Sequence, residues 1–447
     1  MANTYLTKTF SGAGNMDKWT FSAWVKKSDV GAYGTLFHAK TTGNTNFESL
    51  CITTAGNFDW EHYEYTSSSY KARLKTNRLL RDPSAFYHIM CVWDSANATA
   101  GDRMRLYVNG VEETSFATDT NPTQNQDSII NGANAHNIGG SGTSLYLSGI
   151  LSHVHFSDGY ALAPTVFGET DATTGEWKIL TSPSFTLGTN GFTILKDGNT
   201  ITDQSSNSND FSLGGGTLTN TEDCPSNVFA TWNPLDNYYP AMTLSYGNTR
   251  ALTVTNKYTY TPTTLGMTSG KYYAEIKCVA KSSSQIEMIT GITSTSSAST
   301  TDELGHFAND YGYYSNTGEY RNNNTLSSYG NSWTQDDIIG IAVDLDNNKL
   351  YFSKNGTWQN SGDPTSGATG TGAISITDPT STPKGAYFFA VTNWSASSNA
   401  TFDANFGNGY FGSTAISSEG TNASGIGKFE YDVPAGYTAL STKGLNQ

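Results

Sequence analysis

The sequence predicts an all-β protein built as two antiparallel sandwiches in tandem, and three observations carry that expectation. Large and small residues alternate with period two in run after run, as in Trp19-Thr20-Phe21-Ser22-Ala23-Trp24-Val25 and Tyr273-Ala274-Glu275-Ile276-Lys277-Cys278-Val279, while helical periodicity is nearly absent. Asn-Gly, the pair favoured by a turn whose two central residues both need positive φ, sits between strand-like runs at Asn109-Gly110 and at Asn355-Gly356. The composition suits short strands and tight turns: 45 glycines, 13% aromatic residues and only 14% charged residues. An ordinary soluble chain carries about 25% charged residues, so this polar surface must be built from Ser, Thr, Asn and Gly. A length of 447 residues accommodates two β domains, since sandwiches often run to roughly 200–250 residues each.

The first domain is expected to hold the alternating run at Trp19 and the hairpin Leu106-Tyr107-Val108-Asn109-Gly110. The next feature along the chain is a polar stretch, Asp203 to Asp210, followed by Gly214-Gly215-Gly216 and Asp223-Cys224-Pro225-Ser226-Asn227. Such a composition cannot bury enough apolar surface for a core of its own. The predicted organisation is therefore a sandwich over 1–202, a junction over 203–227 and a second sandwich over 228–447. In the second domain, Leu350-Tyr351-Phe352-Ser353-Lys354-Asn355-Gly356 parallels the earlier hairpin, and Asp363 through Gly372 reads as a surface loop.

Lys+Arg number 25 against 39 Asp+Glu, a net charge of −14, so the basic footprint that a phosphate backbone requires is missing and nucleic acid is not expected as a partner. No segment approaches the roughly 18 uninterrupted apolar residues of a membrane helix. Met1-Ala2-Asn3-Thr4-Tyr5 lacks the basic-then-apolar start of a secretory signal. The expectation is a soluble chain without membrane insertion and without an export signal of its own. Cys51, Cys91, Cys224 and Cys278 form no C-x-x-C pair and read as core or surface thiols, with a disulfide among them left open.

Several strings could carry chemistry. Asp59-Trp60-Glu61-His62-Tyr63-Glu64 offers carboxylates that could serve glycoside hydrolysis. Its more ordinary reading is a solvated edge or loop face, and a third is ligand contact by Trp60, Tyr63 and Tyr65, since exposed aromatic rings stack on sugars. On a strand, Asp59, Glu61 and Tyr63 share one face and Glu64 takes the other. Asp344-Leu345-Asp346-Asn347-Asn348 favours a tight turn over a cation loop. His153-x-His155 reads as a partly exposed strand face. In the second domain Tyr311-Gly312-Tyr313-Tyr314 puts two large rings side by side, which on an extended segment cannot both face inward, so one of Tyr313 and Tyr314 is expected at the surface. Together with Trp358 they are candidate ligand contacts, whereas Trp333 and Trp394 are further large rings of that half. No catalytic residue and no metal ligand is assigned.

Longer strings resemble known families. Trp19–Val25, Gly34-Thr35-Leu36-Phe37, Tyr87 to Asp94, the Leu106–Gly110 hairpin and Leu147 to Phe156 resemble, in that order, a laminin-G or concanavalin-A-like sandwich. Lys271-Tyr272-Tyr273-Ala274-Glu275-Ile276 and Asp337 to Asp346 are similar to strands of a SPRY domain, another concanavalin-like sandwich. The close, Phe402-Asp403-Ala404-Asn405-Phe406-Gly407 with Pro434 to Leu440, resembles that of SPRY-like domains in tailed-bacteriophage virion proteins, marine ones especially. The opening Asn3–Thr7, Phe156 to Leu162, Phe167-Gly168-Glu169, Asp210-Phe211 and Pro225 to Leu235 resemble the same group, with Trp232 a departure where a smaller residue is expected. The resemblance implies a non-enzymatic virion surface protein, in a tail fibre, tail-associated or capsid-displayed role, that adheres to host-surface glycan or receptor. It would be made in the host cytoplasm and held on the particle as an oligomer among other virion proteins. Purely structural decoration is the alternative, and a polysaccharide depolymerase a third reading. The resemblance implies no cofactor; laminin-G-like folds sometimes hold calcium at a rim, where Asp94, Asn97 and Asp102 lie here.

Overall fold

The computed structural model describes residues 3–446 apart from 44–45, 197, 199–200, 238–240, 255–258, 284–286, 296–301 and 395–397; the side chains of Thr259 and Trp394 also lie outside the described residues. The chain divides into two compact units, 1–220 and 221–447, and each is an antiparallel β-sandwich.

In the first unit an eight-stranded sheet runs in the order Phe116–Thr120, Ser69–Leu79, Asn57–Glu64, Phe47–Ile52, Gly34–Lys40, Ala135–Ile138, Tyr5–Thr9, Ser212–Gly215. A six-stranded sheet faces it, with Lys18–Lys27 between Gly149–Asp158 and Tyr87–Asp94. The inward residues of both sheets form one core, including Trp19, Phe21, Phe37, Trp60, Trp93 and Phe156. Trp19 stacks flat beside Trp93 with centroids 6.3 Å apart. Within this core Glu48 is fully buried. It survives there because four donors reach it: Trp60 Nε1 donates to one oxygen at 2.9 Å, and Ser128 Oγ (2.6 Å), Ile129 N (2.9 Å) and Ile130 N (3.3 Å) donate to the other. One acidic side chain thereby fastens a distant loop onto the core. The expected hairpin forms at Asn109-Gly110, with φ of 50° and 76°. The missing side chain at Gly110 leaves room for the Trp177 indole, which a Cβ would meet at 2.5 Å.

The stretch expected as a coreless junction divides between the units. Asp203 is buried and accepts from Thr193 N, Ser205 N, Ser205 Oγ and Asn209 N, Phe211 joins the first core, and Ser212–Gly215 pairs with Tyr5–Thr9 at the sheet edge. Hydrogen bonds to one buried carboxylate order a polar segment that has no core of its own.

The second unit pairs a nine-stranded sheet, centred on Lys271–Lys281 and Ile338–Asp344, with a six-stranded sheet centred on Glu287–Thr293. Its core includes Ile276, Ile339, Ile341, Phe352, Phe389 and Phe402. Trp232 is accommodated in full, edge-on to Phe406 at 5.0 Å. Asn355-Gly356 makes the second hairpin, with φ of 48° and 78°. Asp344 closes the predicted tight turn by accepting from Asn347 N at 3.0 Å.

Cover over the outer faces of the sheets decides what each can do. In the first unit Phe167 is buried against Met90, Val92 and Tyr107 on the six-stranded sheet, and Trp177 lies on His88, donating to its Nδ1 at 3.1 Å. In the second unit Phe429, Val433 and Tyr437 bury Tyr273, Ala342 and Tyr351 of the nine-stranded sheet, and Leu304 packs with Ile289 and Tyr314 on the six-stranded sheet. Among the described residues no such apolar cluster lies on the outer face of the first unit's eight-stranded sheet.

Candidate functional site

That uncovered face is organised by register. Trp60, Leu50 and Ala72 point into the core, so alternation turns Asp59, Glu61 and Tyr63, Ser49 and Cys51, and Arg73 outward. Tyr70 joins them through a bulge, because the pairing skips Lys71 and sets Tyr70 opposite Tyr63. Strand pairing sets these in rows across the sheet. Lys40, Phe47, Tyr63 and Tyr70 are successive partners on four adjacent strands, and His38, Ser49, Glu61 and Arg73 form the next row. Thr35, Cys51, Asp59 and Lys75 make a third. An aromatic row thus lies beside a polar one.

The rings of the first row are in contact. Phe47 stacks on Tyr63 at 5.5 Å, Tyr63 meets Tyr65 edge-on at 5.1 Å and Tyr70 at 5.0 Å, and the Arg73 guanidinium lies 4.3 Å from the Tyr70 ring. Tyr65 is 52% exposed. Between these rings and the 139–147 loop is an open groove of about 280 Å³, lined by Tyr33, His38, Ser49, Glu61, Tyr65 and Leu145 among others.

The floor is polar and nearly charge-balanced. Both oxygens of Asp59 are held by Arg73, through Nε at 2.9 Å and Nη2 at 2.6 Å. Glu61 accepts from Tyr33 OH at 3.4 Å, and the same hydroxyl contacts Cys51 Sγ at 2.7 Å. Burial, then the neighbouring Asp59, push the Glu61 carboxyl above its usual range. Burial, then Lys40, lower His38 to about 4, so its imidazole is neutral at pH 7, with one nitrogen donating and one accepting. His38 Nδ1 is buried without a hydrogen-bond partner. Hydroxyl-rich molecules match such a floor, because each hydroxyl both donates and accepts.

The structure treats the sequence-predicted residues unequally. Tyr63 packs edge-on against Tyr65, and Tyr65 lines the groove. Trp60 does not: it is fully buried, its indole is taken by Glu48, and no ligand on the outer face can reach it. The Asp59–Glu64 string is an interior strand of the sheet and not a solvated edge, with Glu64 at its end paired to Lys71 at 3.0 Å. Tyr313 and Tyr314 are both buried, contrary to expectation, because their strand is covered on both faces: Tyr313 stacks on Phe352 in the core and Tyr314 packs with Leu304 outside it. Trp358 is half-buried, edge-on to Tyr273 at 6.3 Å, as part of the cover on its sheet. His153 and His155 are buried as well, His155 under Phe167 and Phe185 with its Nδ1 2.9 Å from Thr193 Oγ1. At the rim, Asp94 pairs with Lys18 at 3.2 Å and Asn97 accepts from Thr99 N. Among the described residues no three of His, Cys, Asp or Glu gather closely enough to hold a metal. The four cysteines are free thiols.

Tyr33, His38, Phe47, Ser49, Tyr70 and Arg73 escaped the sequence reading. They lie on separate elements, and only strand order and register bring them together.

Comparison with known proteins supports the two halves separately. The model of the concanavalin A-like lectin/glucanases superfamily matches residues 3–166, and the SPRY domain model matches residues 271–375. A curated relative, the ATP-dependent RNA helicase DDX1 of Xenopus laevis, is 36% identical over 93 residues, 21% of this chain and 12% of that protein's length. Among solved structures, the SPRY domain of human HERC1 is 15% identical, with 39% of this chain and 96% of that one covered at a TM-score of 0.31. The SAP-like pentraxin of Limulus polyphemus is 18% identical, with 36% and 72% covered at a TM-score of 0.27. The chain thus carries a concanavalin A-like domain followed by a SPRY domain.

Proposed function

We propose that the chain is a non-enzymatic binding protein that adheres to carbohydrate on a host surface through the groove of its first sandwich. The observation that carries this reading is the aromatic row of Phe47, Tyr63 and Tyr70 beside the polar row of His38, Ser49, Glu61 and Arg73 on an uncovered sheet. A sugar ring presents an apolar face and a rim of hydroxyls, and the two rows offer a partner to each. Binding is favoured over hydrolysis because Asp59 has both oxygens committed to Arg73, which leaves Glu61 without a free carboxylate partner on the groove floor. The strings that resemble bacteriophage virion proteins support a setting on a particle surface, as an oligomer among other virion proteins.

A glycan array and a cell-adsorption assay with the purified full chain test the proposal. Binding that falls on Tyr65→Ala is the expected result. If both assays are blank, and the chain instead binds isolated particles or their proteins, its role is structural decoration.

A further inference from the structure

The groove is asymmetric. On the flank beside Gly34–Lys40 and Ala135–Ile138 the 139–147 loop folds back over the sheet: Leu145 O accepts from Thr35 N at 3.1 Å, and Gly142 lies against Asn137, which is only 7% exposed. Leu145 stands at this wall with φ of 56°, and its apolar side chain is 44% exposed. A branched residue held in the left-handed region is strained, and such strain persists where the surroundings impose it, often at ligand clamps. Among the described residues no wall stands on the opposite flank. The rows continue to Tyr70, 40% exposed, and through the pairing of Arg73 with Thr120 to an exposed residue of the edge strand.

We infer that the groove recognises the non-reducing end of a neutral glycan chain, the terminal sugar seated against the Leu145 wall over His38 and Glu61 and the following sugars trailing across Tyr70 toward Thr120. This rests on the carbohydrate reading above and makes it specific. A volume of about 280 Å³ is that of a short segment of chain. His38 supplies an independent sign of a ligand, since its Nδ1 is buried without a partner in a side chain 6% exposed. Neutrality follows from the balance of charge: Arg73 is balanced by Asp59, and the two charged groups that line the groove, Lys40 and Glu61, are of opposite sign. A glycan anchored to a surface by its reducing end offers its non-reducing end outward, which is the end an approaching groove meets first.

The experiment is an array of reducing-end-immobilised neutral glycans probed with the full chain, before and after trimming of the terminal sugar by exoglycosidases. Bound glycans are expected to share a terminal sugar whatever their interior, and to lose binding on trimming. Tyr70→Ala is expected to weaken glycans of three or more sugars about fivefold, by loss of one stacked ring, and to weaken monosaccharides and disaccharides less. Bound glycans that share an interior motif and survive trimming overturn the inference and leave carbohydrate binding standing. An array blank for neutral and acidic glycans alike overturns both.

Discussion

Replacing Glu275 with Gln probes how the second unit is closed. The carboxylate is fully buried on Lys271–Lys281 and accepts four hydrogen bonds: Oε1 from Tyr431 N at 2.8 Å and Tyr273 OH at 3.3 Å, Oε2 from Glu430 N at 2.9 Å and Asn405 Nδ2 at 3.1 Å. A glutamine amide opposes donor to donor at Tyr431 N in one orientation and at Glu430 N and Asn405 Nδ2 in the other, while the Tyr273 hydroxyl can turn to accept, so at least one buried bond is lost, a cost of about 1–3 kcal/mol. A second term acts in the other direction. Burial outweighs the four donors and pushes Glu275 from 4.5 up to about 7. The unfolded chain therefore releases its proton first as pH rises, and the native state loses about 3 kcal/mol between pH 4.5 and 7, with no further change above. Glutamine does not titrate. Between pH 4.5 and pH 7.5 the stability difference between the two proteins should therefore shift by about 3 kcal/mol in the variant's favour. Asp310, raised to about 6 by burial, gives both proteins a common background slope of the same sign. Urea titrations of the full chain can be read by pulse labelling of Cys278, a buried thiol of the second unit, quenched into one common pH. Parallel stability profiles for the two proteins would refute the reasoning.

The first unit should respond oppositely to mild acid. Burial lowers His88 to about 3 and His136 to about 4, as it does His38, so below pH 6.5 the unfolded chain takes up protons that the native state refuses. At pH 5 this costs about 2 kcal/mol for each of the three, and labelling of Cys51 and Cys91 should need less urea at pH 5 than at pH 7. Tyr65→Ala should leave the urea midpoint unchanged, because the ring is 52% exposed, while weakening glycan binding about fivefold or more. Trp60→Phe should destabilise the first unit by about 2 kcal/mol, since Glu48 loses a donor inside the core. At temperatures where the variant stays folded its glycan affinity should equal that of the wild type; a selective loss of binding would place Trp60 in contact with ligand after all.

Local sequence was enough to locate strands and turns, because alternation and Asn-Gly chemistry act over a few residues. It assigned Asp59, Glu61 and Tyr63 to one face, and that is where they stand. It misjudged Tyr313 and Tyr314 because alternation separates the two faces of a strand without saying whether the second face is wet, and here Leu304 covers it. A small part of the candidate groove was legible for the same reason: Glu61 and Tyr65 lie in or beside one string, whereas Tyr33, His38, Ser49 and Leu145 come from others.

The sequence by itself determined an all-β chain, its two sandwiches and its hairpins, all of which follow from short-range periodicity and turn preference. Only the tertiary structure decided which sheet face stays open, which rings align as Phe47, Tyr63 and Tyr70, and which acids are buried as receptors for distant backbone amides, as Glu275 is for residues 430 and 431. The physical reason is that register, strand order and the covering of outer faces are set by contacts far apart along the chain. Period-two patterning fixes which residues share a face and carries no information about which strand lies beside it.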